Sequence, residues 1–186
     1  MMLAQNFNRE FILSQLLDLS ALPILLSTEG LETALQIAQK IVELFQAQKK
    51  LYICGLKNYQ NIARDLAEGF STGLIMNRPA LPVHFIENLT GQDALPSVLG
   101  DQATEGGGLL IVAGEHTQLA QNIIKEAKAL KLFTMAFCGY PPLKTEHPEI
   151  LFYLPALTRP RLKELFLMLG HIICTLVEST LYSNSF

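Results

Sequence analysis

Four histidines and three cysteines are the side chains in this 186-residue chain best suited to ligate a metal or act as nucleophiles. Their spacing does little to gather them. His84, His116, His147 and His171 form no HExxH pattern, and no CxxC spacing links Cys54, Cys138 and Cys174. Neither a zinc site nor another metal or cofactor site is therefore expected. An odd number of cysteines set in apolar runs reads as reduced, buried thiols, which fits a cytoplasmic protein. The run Thr104–Leu109 (TEGGGL) holds three glycines but precedes an apolar stretch, so it is a turn and not a dinucleotide fingerprint. His171 stands among Leu167, Met168, Ile172 and Cys174, the setting of a core or interface histidine with one satisfied hydrogen bond.

Bulk composition narrows the partners. The chain is 49% hydrophobic with a mean hydropathy of +0.27, so it needs a large core or a core plus a subunit interface. A net charge of −3 and a pI near 5.8 provide no basic stripe for nucleic acid or a membrane surface. The densest basic cluster is Arg159, Arg161 and Lys163. The longest uncharged apolar run, Leu165–Val177, falls short of the ~20 residues that span a bilayer. The first residues, MMLAQNFNREF, lack the basic and apolar regions of a secretory signal.

The elements that must position any site alternate along the chain. Phe7, Phe11, Leu16 and Leu17 share a face of a first helix ending near Pro23. Ser27 or Thr28 is placed to cap a second helix carrying Leu31, Leu35, Ala38, Val42 and Phe45. Apolar runs LYICG, Pro82–Ile86, Leu109–Gly114, Leu132–Gly139 and Glu149–Pro155 read as strands. Helices are predicted at Gln60–Phe70, Thr117–Leu130 and Pro160–Leu181. This is a single α/β domain over 1–186, with a helical hairpin at 1–48 and a three-layer α/β/α core at 49–186 around five parallel strands. Such a sheet binds ligands beyond the carboxyl ends of its strands, so the loops after LYICG and LLIVAG matter most.

The order of these elements resembles the sugar isomerase (SIS) family, phosphoheptose isomerase branch. The likeness is carried by the CG ending of the first strand, the A-x-x-x-A-E helix at Ala63–Glu68, the stretch NRPALPVHF, and a long last helix that opens R-L-K-E and carries His171. NRPALP and the ending LVESTLY further resemble the DiaA-like branch, whose members associate with the replication initiator DnaA. The resemblance implies the flavodoxin-like strand order 2-1-3-4-5. It also implies a homo-oligomer, dimer or tetramer, and DnaA as the protein partner.

Departures from the family pattern decide the expected chemistry. Where relatives have CGNGGS, this chain has CGLKNY, placing Lys57, Asn58 and Tyr59 in the first ligand loop. Where they have STSGNS, it has AGEHTQ, placing Glu115, Thr117 and Gln118 in the second. A carboxylate beside a phosphate dianion costs about 1 kcal/mol per charge pair in water and several times more in a cleft, and Lys57 is placed to offset part of that. By the same resemblance Asp65 takes a metal-binding histidine position, Gly69 the catalytic glutamate, Lys163 a metal-binding glutamine, and only His171 matches. The expectation is a protein without catalytic residues that holds a sugar phosphate at most weakly. An isomerase with an aberrant site and a sugar-phosphate or nucleotide sensor are the other readings. The last helix, apolar around most of its circumference, points to a subunit contact. Leu181 and Tyr182, with Phe186 beyond them, are candidate partner-docking residues.

Overall fold

The computed structural model describes residues 9–87, 89, 95–100, 105–155 and 157–182. Five parallel strands, β1 (Leu51–Gly55), β2 (Val83–Ile86), β3 (Gly108–Gly114), β4 (Phe133–Cys138) and β5 (Ile150–Tyr153), are ordered β2-β1-β3-β4-β5. Every residue of β1 and β3 is buried, as expected of unbroken apolar runs covered on both faces. Alternate side chains supply two cores. Leu51, Ile53, Leu110, Val112, Met135 and Phe137 face one layer of helices. Tyr52, Cys54, Leu109, Ile111, Ala136 and Cys138 face the other. The first layer holds α2 (Leu31–Gln46), α3 (Gln60–Thr72) and α6 (Arg159–Tyr182); the second holds α4 (Leu95–Leu99) and α5 (Thr117–Ala129).

The N-terminal hairpin expected from the sequence is not formed. Helical backbone runs without a break from α1 (Arg9–Leu25) through a five-residue π-helical segment, Leu26–Gly30, into α2. Ser27 and Thr28 do not cap a new helix. Their hydroxyls donate back to the carbonyls of Ile24 and Leu25 at 2.8–3.2 Å, a bond that bends helices without ending them. Pro23 lies inside α1, where its missing N–H adds to the irregularity.

The all-round apolarity of α6 is met in part within the chain, with Ile172 left exposed. α2 and α3 flank the helix within the same chain while its inner face meets the sheet. Exposed large apolar side chains gather on α1, at Phe11, Ile12, Leu13, Leu16, Leu17 and Ile24, with others on α2 at Leu31 and Leu35 and on α6 at Ile172. Two helical stretches, Arg9–Thr28 and Arg159–Tyr182, are long and apolar enough to cross a membrane, although the sequence held no uncharged run of that length. The second is a core helix of this fold.

One buried ion pair fixes the segment between α3 and β2. The carboxylate of Glu178, fully buried on α6, accepts from the Arg78 guanidinium at 2.9 Å and from the backbone N–H groups of Leu74 (2.7 Å) and Ile75 (3.1 Å). Arg78 also donates to the carbonyls of Gly69 and Pro79, both at 3.1 Å. The two sequence stretches NRPALP and LVESTLY therefore meet in space. Removing one member leaves the other charge buried without its partner. Glu178→Ala is expected to lower unfolding free energy by roughly 3–5 kcal/mol, measured by urea denaturation; a loss under about 1 kcal/mol, the scale of a surface pair, would refute the role given to it.

Candidate functional site

Beyond the carboxyl end of β1 the chain turns at once into a 3-10 segment, Lys57–Tyr59, that leads into α3. The turn is tight: a Cβ at Gly55 would lie 2.3 Å from the Tyr59 carbonyl oxygen. Leu56 and Tyr59 are both fully buried, Leu56 in the α4–α5 core and Tyr59 in the α2–α3–α6 core. Lys57, at φ +50°, and Asn58 remain at the surface. The loop that could have opened towards a ligand is thus anchored inward on both faces of the sheet.

Beyond β3, Gly114 has φ +55° and supports the Tyr59 ring, which a Cβ at that position would meet at 2.1 Å. Ring contacts to Phe166 and His116 at centroid distances of 5.9 and 6.2 Å, and the Lys163 ammonium 5.7 Å from the ring centroid, complete the enclosure. The Tyr59 hydroxyl donates to Glu115 Oε2 at 2.6 Å, and Arg159 Nε donates to Glu115 Oε1 at 2.6 Å. The cation in contact with Glu115 is Arg159 from the start of α6, where the sequence suggested Lys57. Thr117 is buried in the first turn of α5 and Gln118 is exposed.

Titration follows from these contacts. Burial pushes Glu115 upward, but the Tyr59 hydroxyl, its own backbone N–H, His116 and Arg159 together hold it below the usual carboxylate range. Burial first, then the hydrogen bond and charge of Glu115, raise the Tyr59 phenol far above its ordinary value. Burial lowers His116, with Lys57 and Arg159 acting the same way and Glu115 opposing them. His116 Nε2 is buried and lacks a hydrogen-bond partner among the described residues.

A second group lies between α3 and α6. Asp65 Oδ2 and His171 Nε2 are 2.8 Å apart, with 54% and 40% of their side chains exposed. His171 thus has its single hydrogen bond but sits at the surface and not in the core. A Cβ at Gly69 would face Leu74 and Cys174 at 3.6 and 3.7 Å, so no acid or base stands there. Lys163 belongs to the Tyr59 enclosure, not to the Asp65–His171 pair. No group of three or more His, Cys, Asp and Glu side chains is gathered among the described residues.

Leu181 and Tyr182 are half-buried and line a groove of about 340 Å³ with Phe45, Leu81 and Pro82. The Tyr182 ring lies 5.7 Å from the Arg78 guanidinium. Residues 183–186, including Phe186, lie outside the described residues. Sequence reasoning missed the role of Arg159, although it had singled out the Arg159–Lys163 cluster as unusually basic.

Comparison with known proteins bears on this geometry. No family model matches the chain. A phosphoheptose isomerase from Aneurinibacillus thermoaerophilus is 25% identical over 179 residues, covering 88% of this chain and 89% of that protein. One from Roseiflexus sp. is 22% identical, covering 80% and 82%. Among solved structures, a phosphoheptose isomerase from Francisella tularensis superposes with a TM-score of 0.75 at 16% identity, covering 91% of this chain and 97% of that one. The enzyme from Neisseria gonorrhoeae gives 0.74 at 16% identity, covering 92% and 98%. The chain shares the fold of these phosphoheptose isomerases.

The depressed Glu115 carboxyl contributes stability above its unfolded value near 4.5, and that stability is lost as pH falls through the lower folded value. Thermal melts of Glu115→Gln are therefore expected to fall less steeply than the parent's below about pH 4.5. Parallel curves would show that the carboxylate is not held as described.

Proposed function

We propose that this protein is a non-catalytic member of the phosphoheptose isomerase-like group, working as a homo-oligomer that binds a protein partner. The observation that carries this reading is the filling of the strand-end cleft by Tyr59, locked to Glu115 and Arg159. Proton transfer in an aldose–ketose isomerisation needs an acid and a base beside bound substrate. Here Gly69 supplies neither, and a carboxylate faces the place where an anion would be held.

The names of the relatives favour a second reading, an isomerase or phosphosugar-binding protein with an aberrant site. The Asp65–His171 pair is the feature of this chain that fits it, since a hydrogen-bonded carboxylate–imidazole pair is able to move a proton. Turnover of sedoheptulose 7-phosphate by purified protein separates the two. No conversion above background is expected, and an ordinary enzymatic rate would establish the second reading in place of the first.

Support for assembly comes from α1, whose exposed apolar side chains form a surface that a lone soluble chain rarely presents. The sequence resemblance proposes DnaA as the partner, while the relatives described above bear names of sugar-phosphate enzymes. Leu181 and Tyr182 are the proposed docking residues, because their groove is partly apolar and lies at the surface. A Leu181→Ala, Tyr182→Ala variant is expected to keep the parent's oligomeric mass in light scattering and to lose capture of purified DnaA. A monomeric parent would overturn the assembly, and undiminished capture by the folded variant would overturn the docking site.

A further inference from the structure

We propose that Glu115 is a built-in ligand: its side-chain carboxylate occupies, within the chain itself, an oxyanion position that would otherwise accept a small phosphate. This deepens the reading of the cleft as catalytically silent and rests on it. Glu115 stands one residue before the His116 N-cap of α5, a helix of 13 residues whose first N–H groups favour negative charge. One oxygen receives the Tyr59 hydroxyl and the other receives Arg159 Nε, each at 2.6 Å.

The donors are prepared independently of any flexibility in Glu115. Tyr59 is fully buried against Phe166 and Gly114, so its hydroxyl has a fixed direction. His116 Nε2 is buried nearby without a partner, 3.7 Å from Glu115 Oε1, and would serve as a further donor in the tautomer that carries a proton there. Arg159 is 58% exposed and Glu115 23%, so the position lies at the edge of solvent and not inside the core. Lys163 lies over the Tyr59 ring and Lys57 acts on His116, so positive charge stands beside both groups. With Glu115 in place the group is compensated; without it, the Arg159 guanidinium, His116 Nε2 and the Tyr59 phenol face an unfilled space. An entering anion must displace the carboxylate from Tyr59 and Arg159 and then sit beside it, so the parent is closed to anions.

Inorganic phosphate is the probe, titrated calorimetrically and by thermal shift into the parent, Glu115→Ser, and Glu115→Ser with Arg159→Gln. Glu115→Ala is run alongside so that the outcome does not hang on the folding of one variant. The parent is expected to show no saturable binding. Either single variant is expected to bind at least about tenfold more tightly than any binding detected in the parent, a modest fraction of what removing an adjacent like charge would supply. Adding Arg159→Gln is expected to abolish the gain. Phosphate binding by the parent as tight as by the variants overturns the proposal, as does a folded Glu115→Ser or Glu115→Ala that binds nothing, or binding that survives loss of Arg159. Heptose phosphate turnover by the parent would instead overturn the functional reading, so the two failures are distinguishable.

Discussion

Glu178 and Arg78 bring two opposite charges together where water does not reach, and much of the site's geometry depends on that pair. Desolvating both ions is tolerable only because the remaining hydrogen-bonding capacity is used, by Leu74 and Ile75 on one side and by Gly69 and Pro79 on the other. These contacts admit one arrangement of the segment between α3 and β2 relative to α6. Gly73 allows the turn, at φ +94° and with a Cβ position 2.3 Å from the Met76 carbonyl oxygen. Because Tyr59 stands just before α3 and Arg159 opens α6, holding the two helices together also sets how the ends of both approach Glu115.

The α/β core was legible because its physics is local. A strand covered on both faces must be apolar throughout, so LYICG and LLIVAG declare themselves, and the predicted helices fall within two residues of the observed ones. The N-terminal region was misjudged because its signals are ambiguous. Proline and a Ser-Thr pair mark a helix boundary in one context and a bend within continuous helix in another, and the hydroxyls here chose the carbonyls behind them. The apolar circumference of α6 demanded burial on several sides, but periodicity does not say whether a neighbour in the same chain or a second copy provides it.

At the site, the loops CGLKNY and AGEHTQ could be singled out from the sequence, but the contacts their side chains make could not. Tyr59 and Glu115 are 56 positions apart, and Arg159 lies a further 44 along the chain. No spacing rule links residues on three different elements. The one usable signal was the basic cluster at the start of α6, where Arg161 pairs with Glu164 and Arg159 reaches Glu115.

Each residue of this filling makes sense only with the others. A buried phenol without an acceptor costs about 1–3 kcal/mol, so Tyr59 requires Glu115. A carboxylate drawn into the cleft requires a cation, and Arg159 supplies it. The ring requires a neighbour without a side chain, which Gly114 provides in a backbone conformation that glycine tolerates best. In return Leu56 and Tyr59 add apolar burial, on the order of 1.5–3 kcal/mol for a large side chain, at a loop that an open site would have left hydrated. On the proposed reading, restoring a glutamate at Gly69 alone would not recreate an isomerase cleft, because Tyr59, Glu115 and Arg159 would still hold the space closed.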